Sequence, residues 1–170
     1  MKICVMALAV CALPSICGSG EYSRKITPDA IVENRGGQHW VKQRSKLSKR
    51  IESFAVKYGA DEMLAAEMAE LLCALENGKV LAAIAAKESG FDVRALGRVG
   101  EVGAYQVLPK YWGDPGNNFS SQTEKADKIL QELLDASNGD LAAALERYNG
   151  TGLKAKAYAS SVLSLAAKIQ

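Results

Sequence analysis

Residues 79–92 read Lys79-Val80-Leu81-Ala82-Ala83-Ile84-Ala85-Ala86-Lys87-Glu88-Ser89-Gly90-Phe91-Asp92, a run of apolar and small side chains that ends in an acid and a glycine. Val80, Leu81, Ile84 and Ala85 recur at the spacing of one helical face, so a helix starting near Lys79 is expected to bury them. Glu88 follows Ile84 by one helical turn and therefore projects from the same side as the core stripe. A carboxylate there needs a reason. Desolvation would raise its pKa and keep it protonated near neutral pH, the state a general acid requires. The same fragment also fits a helix-end acid paired with Lys87 or Arg94.

Outward from this helix the pattern stays helical. Asp61 is placed to cap a helix running to about Glu76, with Leu64, Met68, Leu71, Leu72 and Leu75 as its apolar stripe and Asn77-Gly78 as its stop. Before it, Leu47, Ile51, Phe54 and Tyr58 mark a helix from Val41 that Gly59 would end. After it, residues 90–120 carry eight prolines and glycines, which replace regular helix by loops or a small hairpin, the place where a cleft could be built. Helices are expected again over 122–136, with Ile129, Leu130, Leu133 and Leu134 buried, then over 140–148 and 153–169. With 170 residues, 48% of them hydrophobic and 6% aromatic, the chain suits one mainly α domain over residues 41–170.

The N-terminal part reads differently. Lys2 and the apolar stretch Ile3–Leu13, broken by Pro14, have the form of a secretory signal. Small residues at Ser15 and Cys17 favour cleavage before Gly18, so residues 1–17 are expected to be a signal peptide and 18–40 a flexible leader. Val10 before Cys11 and Ile16 before Cys17 argue against a lipid anchor, and the apolar run is shorter than the roughly 20 residues a membrane span needs. Cleavage removes Cys4, Cys11 and Cys17, leaving Cys73 as a buried, inert thiol on a helix. His39 has no second ligand in reach, so neither metal nor cofactor is expected. A formal charge of +2 without a continuous basic block gives no nucleic-acid surface.

Two more fragments change the reading of Glu88: Gly103-Ala104-Tyr105-Gln106-Val107-Leu108-Pro109, and Tyr148-Asn149-Gly150 followed by Tyr158. With Glu88-Ser89, they resemble in order and spacing the signatures of the soluble lytic transglycosylases, relatives of goose-type lysozymes: a Glu-Ser pair at a helix end, a Gly-Leu-Met-Gln segment and a Tyr-Asn pair. The resemblance spans roughly residues 62–168 and implies a lysozyme-like helical domain with the glycine-rich segment along its cleft. Ala104-Tyr105 depart from the usual Leu-Met, and Gly97-Arg98-Val99 stand where many relatives have a Ser before a Gly-Ala step, so sugar contacts are expected to differ. Tyr105 and Tyr111 offer flat faces for sugar rings or for core packing.

What the resemblance implies is cleavage of peptidoglycan between N-acetylmuramic acid and N-acetylglucosamine, leaving a 1,6-anhydromuramyl end, with Glu88 as the single acid and base. Ser89, Gly103, Tyr105, Gln106, Tyr148, Asn149 and Tyr158 would form the substrate site. The alternatives are a muramidase that hydrolyses the same bond with Asp92 or Glu101 as base, and a non-catalytic wall-binding protein of a secretion or conjugation apparatus. An active enzyme is also expected to suit such an apparatus as partner. The basic residues Lys42, Arg44, Lys46, Lys49 and Arg50 of the first helix read as a solvated face or as attraction to an anionic wall. The expected location is periplasmic or secreted.

Overall fold

A computed structural model describes the backbone of residues 37–170 and the side chains from Lys46 onward. The signal segment expected over 1–17 lies outside the described residues, as does the leader up to residue 36. Seven helices are present among the described residues: α1 Gly37–Lys57, α2 Glu62–Cys73, α3 Gly78–Glu88, α4 Pro109–Trp112, α5 Phe119–Asp135, α6 Leu141–Asn149 and α7 Leu153–Ala166. The first helix thus begins inside the stretch read as leader, before Val41. None of the described helices is long and apolar enough to cross a membrane.

The deciding stretch is the centre of the molecule. Leu81 through Ala85 are completely buried, so α3 is enclosed on all sides, in contact with α1, α2, α5 and α7. A helix that is apolar all round belongs in a core, and the alanines let its neighbours approach closely. Its start is equally tight: a Cβ on Gly78 would strike the Leu72 carbonyl at the end of α2. Asp61 caps α2 through the Met63 amide at 2.8 Å, as the sequence suggests. The buried face of α2, however, is Ala65, Met68, Ala69 and Leu72. Leu64 is half exposed and Met63 almost fully so, because the small alanines occupy the line of closest approach and turn the larger residue outward.

At the other end of α3, Ser89 is the C-cap and Gly90 takes φ +68°. Gly90 packs against Gly59 at the end of α1, whose φ is +114°; a Cβ on either would sit 3.0 Å from the other segment's carbonyl oxygen. This backbone-to-backbone contact fixes where α3 stops and where Glu88 stands. Residues 95–107 then fold back on themselves through two antiparallel bridges, Leu96 with Val102 and Val102 with Val107. The small hairpin of the sequence reading exists in this minimal form. Cys73 is half-buried and packs against the core, where full burial was expected.

Candidate active site

Between the bridged loop, the end of α3, the end of α6 and one face of α7 lies a cleft of about 1200 Å³. Glu88, Gln106, Tyr148, Asn149 and Tyr158 all line it. Three fragments separated by up to sixty residues of sequence therefore meet on one surface, and Glu88 is half-buried among them.

The turn 103–106 explains how. Gly103 has φ +78°, and a Cβ there would collide with the side chain of Gln122. The Gln122 oxygen accepts the Ala104 amide at 2.8 Å, while its amide group donates to the carbonyls of Val93 at 2.9 Å and Gly116 at 3.1 Å. From α3, the Ser89 hydroxyl donates to the Ala104 carbonyl at 2.9 Å and accepts the Asp92 amide at 3.0 Å. From α6, the Tyr148 hydroxyl donates to the Tyr105 carbonyl at 3.1 Å. Held from three helices, the turn carries Gln106 into the cleft with a φ of +47°, its amide donating to the Gly103 carbonyl at 3.0 Å. Its side-chain oxygen points toward Gly97, where a Cβ would collide with the Glu101 carboxylate and crowd the Gln106 oxygen at 2.7 Å.

Three expected substrate contacts are not brought to the cleft. Ser89 serves as the joint between α3 and the loop. Gly103 is buried backbone. Tyr105 is fully buried, and its hydroxyl shares a hydrogen bond of 2.8 Å with Thr123, so its ring belongs to the core and offers no face to a sugar. The departure from Leu-Met at 104–105 therefore changes packing behind the cleft wall. Tyr111 is exposed outside the cleft; of this pair it is the neighbour Trp112 that lines the cleft, on the single turn α4. Sequence reasoning missed Trp112, Gln122 and Thr123. Pro109 at the first helical position was the one signal for α4.

Electrostatics in the cleft are set by few groups. Burial pushes the Tyr148 hydroxyl well above the ordinary tyrosine range, and the nearby charge of Glu88 pushes it further, so it remains a donor. Its ring stacks on Tyr158 at 6.5 Å and 3°. Lys87 donates to Ser161 at 3.0 Å and sits 5.5 Å from the Tyr158 ring. Asp92 is exposed and caps the Arg94 amide at 2.8 Å, outside the cleft. Glu101 does line the cleft, with one oxygen accepting the Val99 amide at 3.0 Å. Among the described residues no group of three His, Cys, Asp or Glu side chains is placed to hold a metal ion.

The described domain is helical and encloses a cleft with the half-buried Glu88 at a helix end. The chain belongs to the transglycosylase SLT domain family, whose model matches residues 75–168, more than half of the sequence. Membership carries a transglycosylase-like function on peptidoglycan. No solved structure matches the chain.

Proposed function

We propose that this protein is a lytic transglycosylase that cuts the bond between N-acetylmuramic acid and N-acetylglucosamine and leaves a 1,6-anhydromuramyl end. The observation that carries the reading is the convergence of Glu88, Gln106, Tyr148 and Asn149 on one cleft within the matched domain. Glu88 protonates the glycosidic oxygen as that bond breaks, and its carboxylate then takes the proton from the muramyl 6-hydroxyl as the oxygen attacks C1. Proton and bond counts balance without water, and an intramolecular nucleophile has a high effective concentration. Gln106, Asn149 and the Tyr148–Tyr158 pair supply hydrogen-bonding and apolar surface for the muramyl unit, while Trp112 supplies a ring face.

A second reading has its own observation: Glu101 is a further carboxylate in the cleft, the group that hydrolysis needs to activate water. Its tie to the Val99 amide favours a role in shaping the loop. Export through a signal peptide over residues 1–17, a periplasmic setting and service to a secretion or conjugation apparatus complete the proposal.

The test is digestion of purified sacculi. Glu88→Gln should lower turnover by about 10²- to 10⁴-fold, with sacculus binding and melting temperature unchanged, and Glu101→Gln should stay within a few-fold of wild type. Wild-type lysis by the Glu88 variant would place the chemistry elsewhere.

A further inference from the structure

The molecule has a second concavity, about 440 Å³, between α1 and the chain following α7. Lys46, Lys49, Arg50 and Lys57 of α1 line it together with Tyr58, Lys168 and Gln170, and among the described residues no Asp or Glu side chain lines it. All five cations are exposed. Four of them share one stripe of α1, Lys49 and Arg50 three and four residues after Lys46 and Lys57 seven after Arg50, opposite the face that Ile51 and Ala55 bury in the core. Like charges at these spacings repel and weaken a helix. Nothing in the packing requires them. Tyr58 gathers two of the ammonium groups, one 5.9 Å above its ring and the other 3.5 Å from its hydroxyl.

The stripe is also a local exception. Helix α1 carries six Lys and Arg against one Glu, while the chain as a whole has 21 Lys and Arg against 19 Asp and Glu, so the rest of the molecule is acidic on balance. Apart from Lys168 and Gln170, the groove is built by α1 and the adjoining Tyr58, which precede the matched family segment.

We propose that this groove is a second binding site for the anionic peptide side chains of peptidoglycan, its lysines and arginine pairing with their carboxylates. The proposal rests on the reading of the cleft as a peptidoglycan site. From Tyr158 in the cleft to Lys168 in the groove, α7 and its extension rise by roughly 15 Å at 1.5 Å per residue. A polymer bearing many peptides can therefore occupy both places at once, whereas a short fragment in the cleft cannot. Two-point attachment raises the effective concentration of the polymer at the cleft without changing the chemistry there.

The experiment compares the full-length protein with a variant carrying Lys46→Gln, Lys49→Gln, Arg50→Gln and Lys57→Gln, and with a second in which the three lysines become arginine. Cosedimentation with intact sacculi at low salt should fall about tenfold or more for the glutamine variant, and the arginine variant should bind as wild type. Wild-type binding should fall comparably on sacculi stripped of their peptides. Cleavage of short soluble glycan fragments should be equal in all three proteins. Unchanged sacculus binding by the glutamine variant would overturn the proposal, as would equal binding of wild type to intact and stripped sacculi. Groove-dependent binding to phosphatidylglycerol vesicles in preference to sacculi would overturn it too, in favour of a membrane surface. Failure of all three proteins to cleave short fragments would instead count against the reading of the cleft.

Discussion

Two neighbouring aromatic residues separate the cleft from the surface. Tyr111 and Trp112 share one turn of helix, yet of the two only Trp112 lines the cleft, and the proposed function gives its ring to a sugar. Ring faces contribute about 0.5 to 1.5 kcal/mol beyond simple burial, so Trp112→Ala is expected to raise KM for glycan fragments by several-fold. Tyr111→Ala should leave it unchanged. Steady-state kinetics on the two variants read the difference directly, and equal effects would return the cleft wall to Tyr111. At the same scale Tyr105 carries the opposite lesson. It lies within the family-like segment, yet its hydroxyl is spent on Thr123, so position within a signature did not fix its role.

The element that makes the cleft is a loop, and what holds it is one buried amide. Gln122 satisfies the Ala104 amide and the carbonyls of Val93 and Gly116 together. Gln122→Ala strands all three, and an unsatisfied buried group costs about 1 to 3 kcal/mol. The variant should lose at least about 2 kcal/mol of stability, seen in chemical denaturation, and should lose turnover as Gln106 shifts. Full stability in that variant would mean that water replaces the amide. The helices, the ends of α1 and α3 and the glycine-driven turns were legible in the sequence because each is a local rule: Asp61 as a cap, and Gly59 and Gly90 as left-handed ends. The end of α2 was not, since it stops at Cys73 and the Asn77-Gly78 read as its stop opens α3 instead. Gln122 and Thr123 were not legible. Polar residues at the start of a helix read as solvent-facing, and only the tertiary return of the 93–116 loop onto α5 makes them interior. The rotation of α2 was hidden for a similar reason, since the alanines that face inward are weaker signals than the leucines beside them.

Across the whole molecule, charge and protonation follow the same division between core and surface. Tyr105 and Tyr148 both have hydroxyl pKa values raised above 10.0, chiefly by burial. A raised folded value means that the unfolded chain releases its protons first. The stabilisation from these rings is therefore complete below about pH 10 and is lost as pH rises from there toward the folded values. The slope reaches at most about 1.4 kcal/mol per pH unit for each ring. Denaturation midpoints should fall above pH 10, and Tyr105→Phe should flatten the fall; an identical slope in that variant would contradict the assignment. The proposed reaction makes a more direct demand. Muropeptides released from sacculi in ¹⁸O-labelled water and weighed by mass spectrometry distinguish an end closed by the muramyl 6-hydroxyl from one opened by water. The one-acid scheme on Glu88 predicts unlabelled 1,6-anhydromuramyl ends that resist borohydride reduction. Ends that carry the label and are reducible would show that water is the nucleophile and contradict it.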